Sequence, residues 1–247
     1  LTGMQAKLNS GVFIGPLYYY YIAIFYFFTN LDPIASGIAA GFTAIITLFT
    51  IYFVFKNLFS QSVAFIAMII YTVAQIAIIG DRTQWPVNFI FPISLLIFYS
   101  LFRIVTGNAK HILFLAILLG LSFNVHFTST FYLIIILLSL PFFPRTSETI
   151  KYTLYSIPIF FIIVSPIVYY LAKNIGAGGR GLFYLGTYYH GFYLTRFFQL
   201  TSDAFIQFES MLFFPQLKYF GFLALPVFGL LYLKEKMTKE RIVFVYL

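Results

Sequence analysis

Residues 33–55 read PIASGIAAGFTAIITLFTIYFVF, a run of 23 residues without a charged side chain. An α-helix needs roughly 20 such residues to cross the hydrocarbon core of a bilayer. Similar apolar stretches recur along the chain, and together they predict a protein built from membrane-spanning helices. The other predicted spans lie at residues 61–80, 86–104, 111–123, 127–143, 150–172 and 219–233, with a further one beginning near 242.

The composition of the whole chain points to the same class. Of its 247 residues, 61% are apolar and 9% are charged, and the mean hydropathy is +0.93. Soluble domains carry about 25% charged residues, so soluble enzymes, disordered proteins and small secreted scaffolds are excluded. The chain has no cysteine, which removes disulfides and thiolate metal sites. The net charge of +8 comes from Lys and Arg scattered between apolar runs, so we expect no nucleic-acid partner.

The positions of the basic residues predict how the chain is oriented. Nine of the 15 Lys and Arg fall in loops on one side of the alternating spans: Lys56, Arg103, Lys110, Arg145, Lys151, Lys234, Lys236, Lys239 and Arg241. Cytoplasmic loops are enriched in Lys and Arg, so this side is predicted to be cytoplasmic. The outer side then receives turns at 30–32, 81–85 and 124–126, and a loop with an amphipathic helix at 173–216.

The segment at 17–29, LYYYYIAIFYFFT, is too short to span and carries four consecutive tyrosines. Such residues suit the headgroup zone, so we predict an interfacial helix on the outer surface. The predicted fold is all-α: one polytopic transmembrane domain over 1–247 with short interfacial helices on its outer face. The stretches 111–123 and 127–143 form either a tight hairpin or one bent helix, and we favour the hairpin. We interpret the small residues Gly37 and Gly41 as a site of close helix packing within the monomer.

Three polar segments stand at predicted outer ends of these helices. The first is Gly-Pro-Leu-Tyr-Tyr-Tyr at 15–20, followed by a polar turn at 30–32. The second is Trp-Pro-Val-Asn at 85–88, and the third is Gly-Leu-Ser-Phe-Asn-Val-His-Phe-Thr at 120–128. In their order and spacing these segments resemble the dolichyl-phosphate-mannose protein mannosyltransferase family, part of the glycosyltransferase C superfamily. The resemblance covers about residues 10–170.

The resemblance implies a multi-pass membrane glycosyltransferase, located in the cell membrane, that transfers a sugar from a polyprenyl-phosphate donor. It implies an active face on the extracytoplasmic side and leaves open whether a divalent metal takes part. In the family an acidic residue in the first outer loop serves as the general base. No acid precedes Asp32 here, so we expect the first helix and the base to lie upstream of residue 1, and the chain to be a fragment that also lacks a C-terminal part.

Candidate contacts to the donor come from two polar segments. His126 lies at the outer end of a predicted span with Asn124 and Thr128 around it. Polar groups at membrane depth are costly unless they face a cavity or a partner, so these residues are candidates for binding the phosphate or the sugar. Hydrogen bonding between helices explains them equally well. A metal site would need a second ligand, and none is predicted.

Arg180 and a pair of rim residues complete the candidate site. Arg180 stands in the glycine-rich stretch 176–181, where backbone N–H groups beside a guanidinium suit a lipid phosphate. A hinge is the simpler reading of that stretch. Asp81 and Trp85 lie in an outer loop and are candidates for contact with donor or acceptor. Their simpler reading is a solvated helix end beside an interfacial anchor.

Other functions remain open at this point. A transporter or flippase of lipid-linked substrates is the main alternative, and it predicts broken helices and polar sites near the middle of the membrane. An oligosaccharide polymerase or ligase would have an outer loop richer in Arg and His. A scaffold without catalysis is a third alternative. The sugar, the acceptor and the oligomeric state do not follow from the sequence.

Overall fold

The computed structural model describes residues 14–126 and 129–173, together with positions 195, 198, 199 and 202. Over residues 14–126 and 129–173 all regular secondary structure is helical. The α-helices are α1 (Leu17–Phe28), α2 (Ile34–Leu58), α3 (Gln61–Val73), α4 (Gln75–Arg82), α5 (Ile90–Val105), α6 (His111–Phe123), α7 (Thr130–Ser139) and α8 (Ser147–Lys173). Two short 3-10 helices, Pro86–Phe89 and Leu140–Phe142, precede α5 and follow α7.

Three of these helices are long and apolar enough to cross a bilayer. They are α2 with 25 residues, the continuous segment Pro86–Val105 with 20, and α8 with 27. At about 1.5 Å per residue, 20 residues reach about 30 Å, the thickness of the hydrocarbon core. The prediction of an all-α, polytopic membrane protein is confirmed, and the predicted spans 33–55, 86–104 and 150–172 each coincide with one of these helices.

The predicted span 61–80 is broken into two helices. α3 and α4 meet at a bend of 68°. The break falls at Ala74, whose extended backbone (ψ 124°) interrupts the helical run. The hydroxyl of Tyr71 on α3 donates a hydrogen bond to Asp81 Oδ1 on α4, 3.0 Å away. This bond connects the two arms of the bend.

The predicted spans 111–123 and 127–143 are represented by short helices. α6 begins and ends at the predicted residues, and its 13 residues are fewer than the roughly 20 that cross a bilayer. α7 has 10 residues. The two are separate helices, and α6 packs most extensively against α5 and α8. The packing against α8 is close because Gly120 lies opposite Ile163.

The helix at 17–29 is present as α1, and its tyrosines have two different roles. The hydroxyl of Tyr21 donates to the Ala39 carbonyl, 2.7 Å away, and lies 2.9 Å from Thr43 Oγ1 on α2. Tyr18, one helical turn earlier, is also buried, whereas Tyr19 and Tyr20 are exposed. One face of α1 is therefore held against the bundle, and the interfacial position of the helix stays a prediction.

The interpretation of Gly37 and Gly41 as a close-packing motif is wrong. A β-carbon added at either glycine would have open space around it within 4 Å. The small residues of α2 that are buried lie on another face of the helix: Ala35, Ala39, Ala40, Thr43 and Thr47. Among the described residues that face contacts the rest of the bundle, whereas the two glycines are exposed.

One core of buried hydrophobic side chains lies in the middle of the bundle. It is formed mainly by α5 and α6, and Tyr132 of α7 closes it. The tyrosine hydroxyl is hydrogen-bonded to Ser94 of α5, so its burial leaves no polar atom unsatisfied. This core fixes α6 relative to α5 and so positions the polar residues that follow α6.

Candidate functional site

The three segments that carry the family resemblance meet in space. Gly15, just before α1, lies directly against the side chain of Asn124, just after α6. The side chain of Gln84, which precedes the Trp85 segment, is hydrogen-bonded to the hydroxyl of Tyr18. The rings of Tyr21 and Phe89 pack edge to face, with their centroids 4.9 Å apart. Segments about 35 to 110 residues apart in the sequence therefore form one cluster, which we call the motif cluster: Gly15, Tyr18, Gln84 and Asn124.

Asn124 is the best-anchored residue of the motif cluster. It is 2% exposed, and its Nδ2 donates to the carbonyls of Gly120, 3.0 Å away, and Ile163, 3.1 Å away. Both amide hydrogens are thus committed to backbone acceptors, one of them on α8. The side-chain oxygen faces Gly15. In this arrangement Asn124 positions the end of α6 against α8 and against the start of α1.

His126 and Ser129 follow Asn124 along the chain. The His126 imidazole is partly exposed, and its backbone N–H donates to the Ser122 carbonyl at 3.0 Å. Ser129 is fully buried, and its Oγ has no hydrogen-bond partner among the described residues. Buried hydroxyls are nearly always paired, so Ser129 is an exception in this part of the chain. Thr128 lies outside the described residues.

Asp81 and Trp85 have different environments. Asp81 Oδ1 accepts a hydrogen bond from the Tyr71 hydroxyl, across the α3–α4 bend. Trp85 is 52% exposed. The segment between them is held by Asn88, whose Nδ2 donates to the carbonyls of Gly80, 2.8 Å away, and Thr83, 2.6 Å away. Asn88 thus caps the end of α4 and keeps Gln84 close to Tyr18.

An apolar cavity of about 410 Å³ lies beside the motif cluster. It is enclosed by α1, α2, α5 and α6, and almost all of its surface is hydrocarbon or aromatic. Its lining includes residues of all three segments or their immediate neighbours: Leu17, Tyr18, Tyr20, Phe89, Leu121 and Val125. Tyr18 and Val125 also connect it to the cluster, because Tyr18 contacts Gln84 and Val125 adjoins Asn124 in the chain. A polar rim therefore borders a space suited to an apolar chain.

Comparison with known proteins identifies the family. The model of the dolichyl-phosphate-mannose-protein mannosyltransferase family matches residues 14–170. The chain belongs to this family. No curated protein and no solved structure matches it. The resemblance inferred from the three segments is confirmed, and the chain is a member of a family of membrane glycosyltransferases.

The residues matched by the mannosyltransferase family model include every member of the motif cluster and every residue that lines the cavity. Gly15 lies at the beginning of the matched region, Asn124 lies within it and Ile163 lies near its end. Arg180 lies beyond the matched region and outside the described residues. Its contact with a donor phosphate therefore stays a prediction.

The sequence did not identify Gln84 or Tyr71 as members of polar contacts, and it indicated no separate role for Gly15. The signal for Gly15 was present, since the residue opens the Gly-Pro-Leu-Tyr segment. Gln84 carries no pattern that separates it from other polar loop residues. Among the described residues no group of three or more His, Asp or Glu side chains is placed to hold a metal ion.

Proposed function

We propose that this chain takes part in moving a sugar from a polyprenyl-phosphate donor to an acceptor on the extracytoplasmic face of a membrane. The observation that carries the proposal is the apolar cavity bordered by the motif cluster. A lipid-phosphate sugar has an apolar chain joined to a polar head, and the site has the same two parts in contact. The membership in a mannosyltransferase family supports sugar transfer as the reaction.

The cavity is suited to the first part of the donor lipid chain. Its volume of about 410 Å³ falls in the range of about 300–1,000 Å³ typical of small-molecule sites. Isoprenoid units have no hydrogen-bonding groups, and the lining offers mainly aliphatic and aromatic side chains such as Ile24, Ile46 and Leu96. Burial of the chain is favourable by roughly 25 cal/mol per Å² of apolar surface.

The polar head of the donor would then lie at the motif cluster. The lipid phosphate is the leaving group, so negative charge grows on it as the glycosidic bond breaks. Hydrogen-bond donors in this region are the hydroxyls of Tyr18 and Ser129 and the imidazole of His126. Arg180 and Thr128 are the sequence-predicted residues that we assign to the same head group.

The acceptor side of the site needs a base. A carboxylate that takes the proton of the acceptor hydroxyl would complete the reaction, as the family resemblance implies. Asp81 and Trp85, which lie close to Gln84 in the sequence, are our candidates for contact with the acceptor or the sugar. The positive-inside distribution of Lys and Arg supports an extracytoplasmic location of this rim.

A transfer assay tests the proposal. Membranes containing the full-length protein are supplied with radiolabelled polyprenyl-phosphate sugars of several types and with candidate acceptors. We expect transfer from at least one donor, lost in His126→Ala and Arg180→Ala and retained in Arg145→Ala, an exposed residue far from the cluster. Transfer that survives both substitutions would keep the activity and remove these two residues from the site.

One observation belongs to the transport alternative. A helix broken inside a span is common in transporters, and the α3–α4 pair has a bend of 68°. The family match favours the transferase. Absence of transfer from every donor, together with protein-dependent movement of a lipid-linked sugar across vesicle membranes, would replace the transferase by a transporter.

A further inference from the structure

Two basic side chains at the end of the bundle opposite the motif cluster each have one ring or guanidinium nitrogen without a hydrogen-bond partner. They are Arg103, in the last turn of α5, and His111, at the first position of α6. Arg103 Nε and His111 Nδ1 are both buried, and neither has a hydrogen-bond partner. Arg103 is also a charged neighbour that acts on His111. The described structure therefore leaves one unsatisfied nitrogen atom on each of two basic side chains near the same end of the bundle.

Both groups are held against one aromatic ring. The centroid of the His111 ring lies 5.4 Å from that of Tyr99 in an edge-to-face arrangement, and Arg103 Cζ lies 6.0 Å from the same centroid. Tyr99 is buried and also packs against Phe53 of α2, at 5.3 Å between centroids. The ring thus fixes both side chains at the junction of α2, α5 and α6.

The surrounding charge is strongly positive. The described residues at this end are placed by the alternating directions of the helices, and they include the basic residues Lys56, Arg103, Lys110, Arg145 and Lys151. Glu148 is the one carboxylate among the described residues of this end. Buried polar atoms without partners are rare in folded proteins, and an ion or ligand is a usual reason for them. An anion beside these side chains would balance the positive charge of this end.

We propose that Arg103, His111 and Lys110 form a binding site for a phosphate group, supplied by the headgroup of an anionic phospholipid. Basic pockets between helices at a membrane surface recognise such headgroups. A guanidinium donates two parallel hydrogen bonds to phosphate oxygens, and the imidazole and the ammonium add further donors. Arg103 and His111 are both partly exposed as residues, so a headgroup phosphate reaches the exposed part of each side chain while Nε and Nδ1 stay covered. This site is independent of the sugar-transfer site and of the proposed function.

Lipid binding by the full-length purified protein tests the site. The probe is phosphatidylglycerol, titrated into the protein in a phosphatidylcholine background and followed by native mass spectrometry. We expect Arg103→Gln and His111→Gln each to weaken binding about tenfold or more, the effect of losing a hydrogen bond to a charged group. Lys151→Gln removes the same charge from the same end and should weaken binding less than about twofold.

Two further measurements separate the outcomes. Competition by millimolar inorganic phosphate would show that the site takes the phosphate group alone, and no competition would show that the lipid chains are also needed. Arg103→Lys, which keeps the charge and loses the planar fork, should bind with intermediate affinity and serves if Arg103→Gln fails to fold. Equal losses in Arg103→Gln and Lys151→Gln, or unchanged binding in both Arg103→Gln and His111→Gln, would overturn the proposal.

Discussion

Gly15 lies so close to the side chain of Asn124 that a β-carbon at position 15 would overlap Asn124 Oδ1. This contact joins the segment before α1 to the segment after α6, more than 100 residues later in the chain. The interpretation of the motif cluster as a functional site depends on it.

Gly15→Ala tests this contact. The added methyl group has no space, so the start of α1 or the Asn124 side chain must move away from its present position. We expect transfer activity to fall at least about tenfold, because misplacement of site residues by about 1 Å has effects of this size or larger. Gly37→Ala is the matched control, since a β-carbon there has open space, and it should keep full activity. Parent-like activity in Gly15→Ala would show that the contact is not needed.

Gly120→Ala tests the packing of α6 against α8. A β-carbon at position 120 would lie 2.9 Å from both Cβ and Cγ2 of Ile163, so the two helices must separate slightly. Overpacking of this kind costs about 1–3 kcal/mol of stability. The measurement is unfolding of the purified protein in mixed micelles, with Gly41→Ala as control. Ile163→Ala should partly restore stability in the double variant, and no restoration would place the strain elsewhere.

Asn124→Leu removes the bond between the end of α6 and α8. The substitution leaves the carbonyls of Gly120 and Ile163 without the amide donors that now reach them. We expect a loss of about 1–3 kcal/mol in the free energy of unfolding, the usual cost of unsatisfied buried polar groups. Asn57→Leu is the control, because Asn57 is exposed and donates within its own helix to Phe53. Equal losses in the two variants would contradict the role of Asn124.

Tyr71→Phe tests the bond across the α3–α4 bend. The variant keeps the ring, which stacks on Phe91 at 5.5 Å, and loses only the hydroxyl that donates to Asp81. Hydrogen exchange around Ala74 should become faster, because the bend loses a tie between its arms. Exchange in α6 should not change and serves as the internal reference. Unchanged exchange at the bend would mean that packing alone maintains it.

The long spans could be predicted from sequence, and the bend could not. The hydropathy averaged along the sequence locates α2 and α5, because each is a continuous hydrophobic helix. The break at Ala74 depends on the backbone of a single residue, with no proline or glycine at that position to indicate it. The average hydropathy of a span does not reveal a change in the backbone conformation of one residue.

The site was predictable only in part. The three segments could be recognised as motifs, yet the contact of Gly15 with Asn124 depends on how α1 and α6 pack, which no local pattern contains. The residues that line the cavity were even less predictable from the sequence. Ile46, which lines it, and Ile45, which is 49% exposed on the same helix, are neighbours of identical chemistry. The folded structure alone distinguishes them.

This pair supplies the most direct test of the central claim, that the cavity holds the donor lipid. Ile46→Trp fills the cavity, whereas Ile45→Trp adds the same bulk on an exposed face of α2. The measurement is the rate of sugar transfer as a function of polyprenyl-phosphate-sugar concentration for both variants and the parent. The account predicts that Ile46→Trp raises the donor KM at least about tenfold, since the lipid chain loses its buried surface, and that Ile45→Trp behaves as the parent. A parent-like donor KM in a folded Ile46→Trp variant would contradict it.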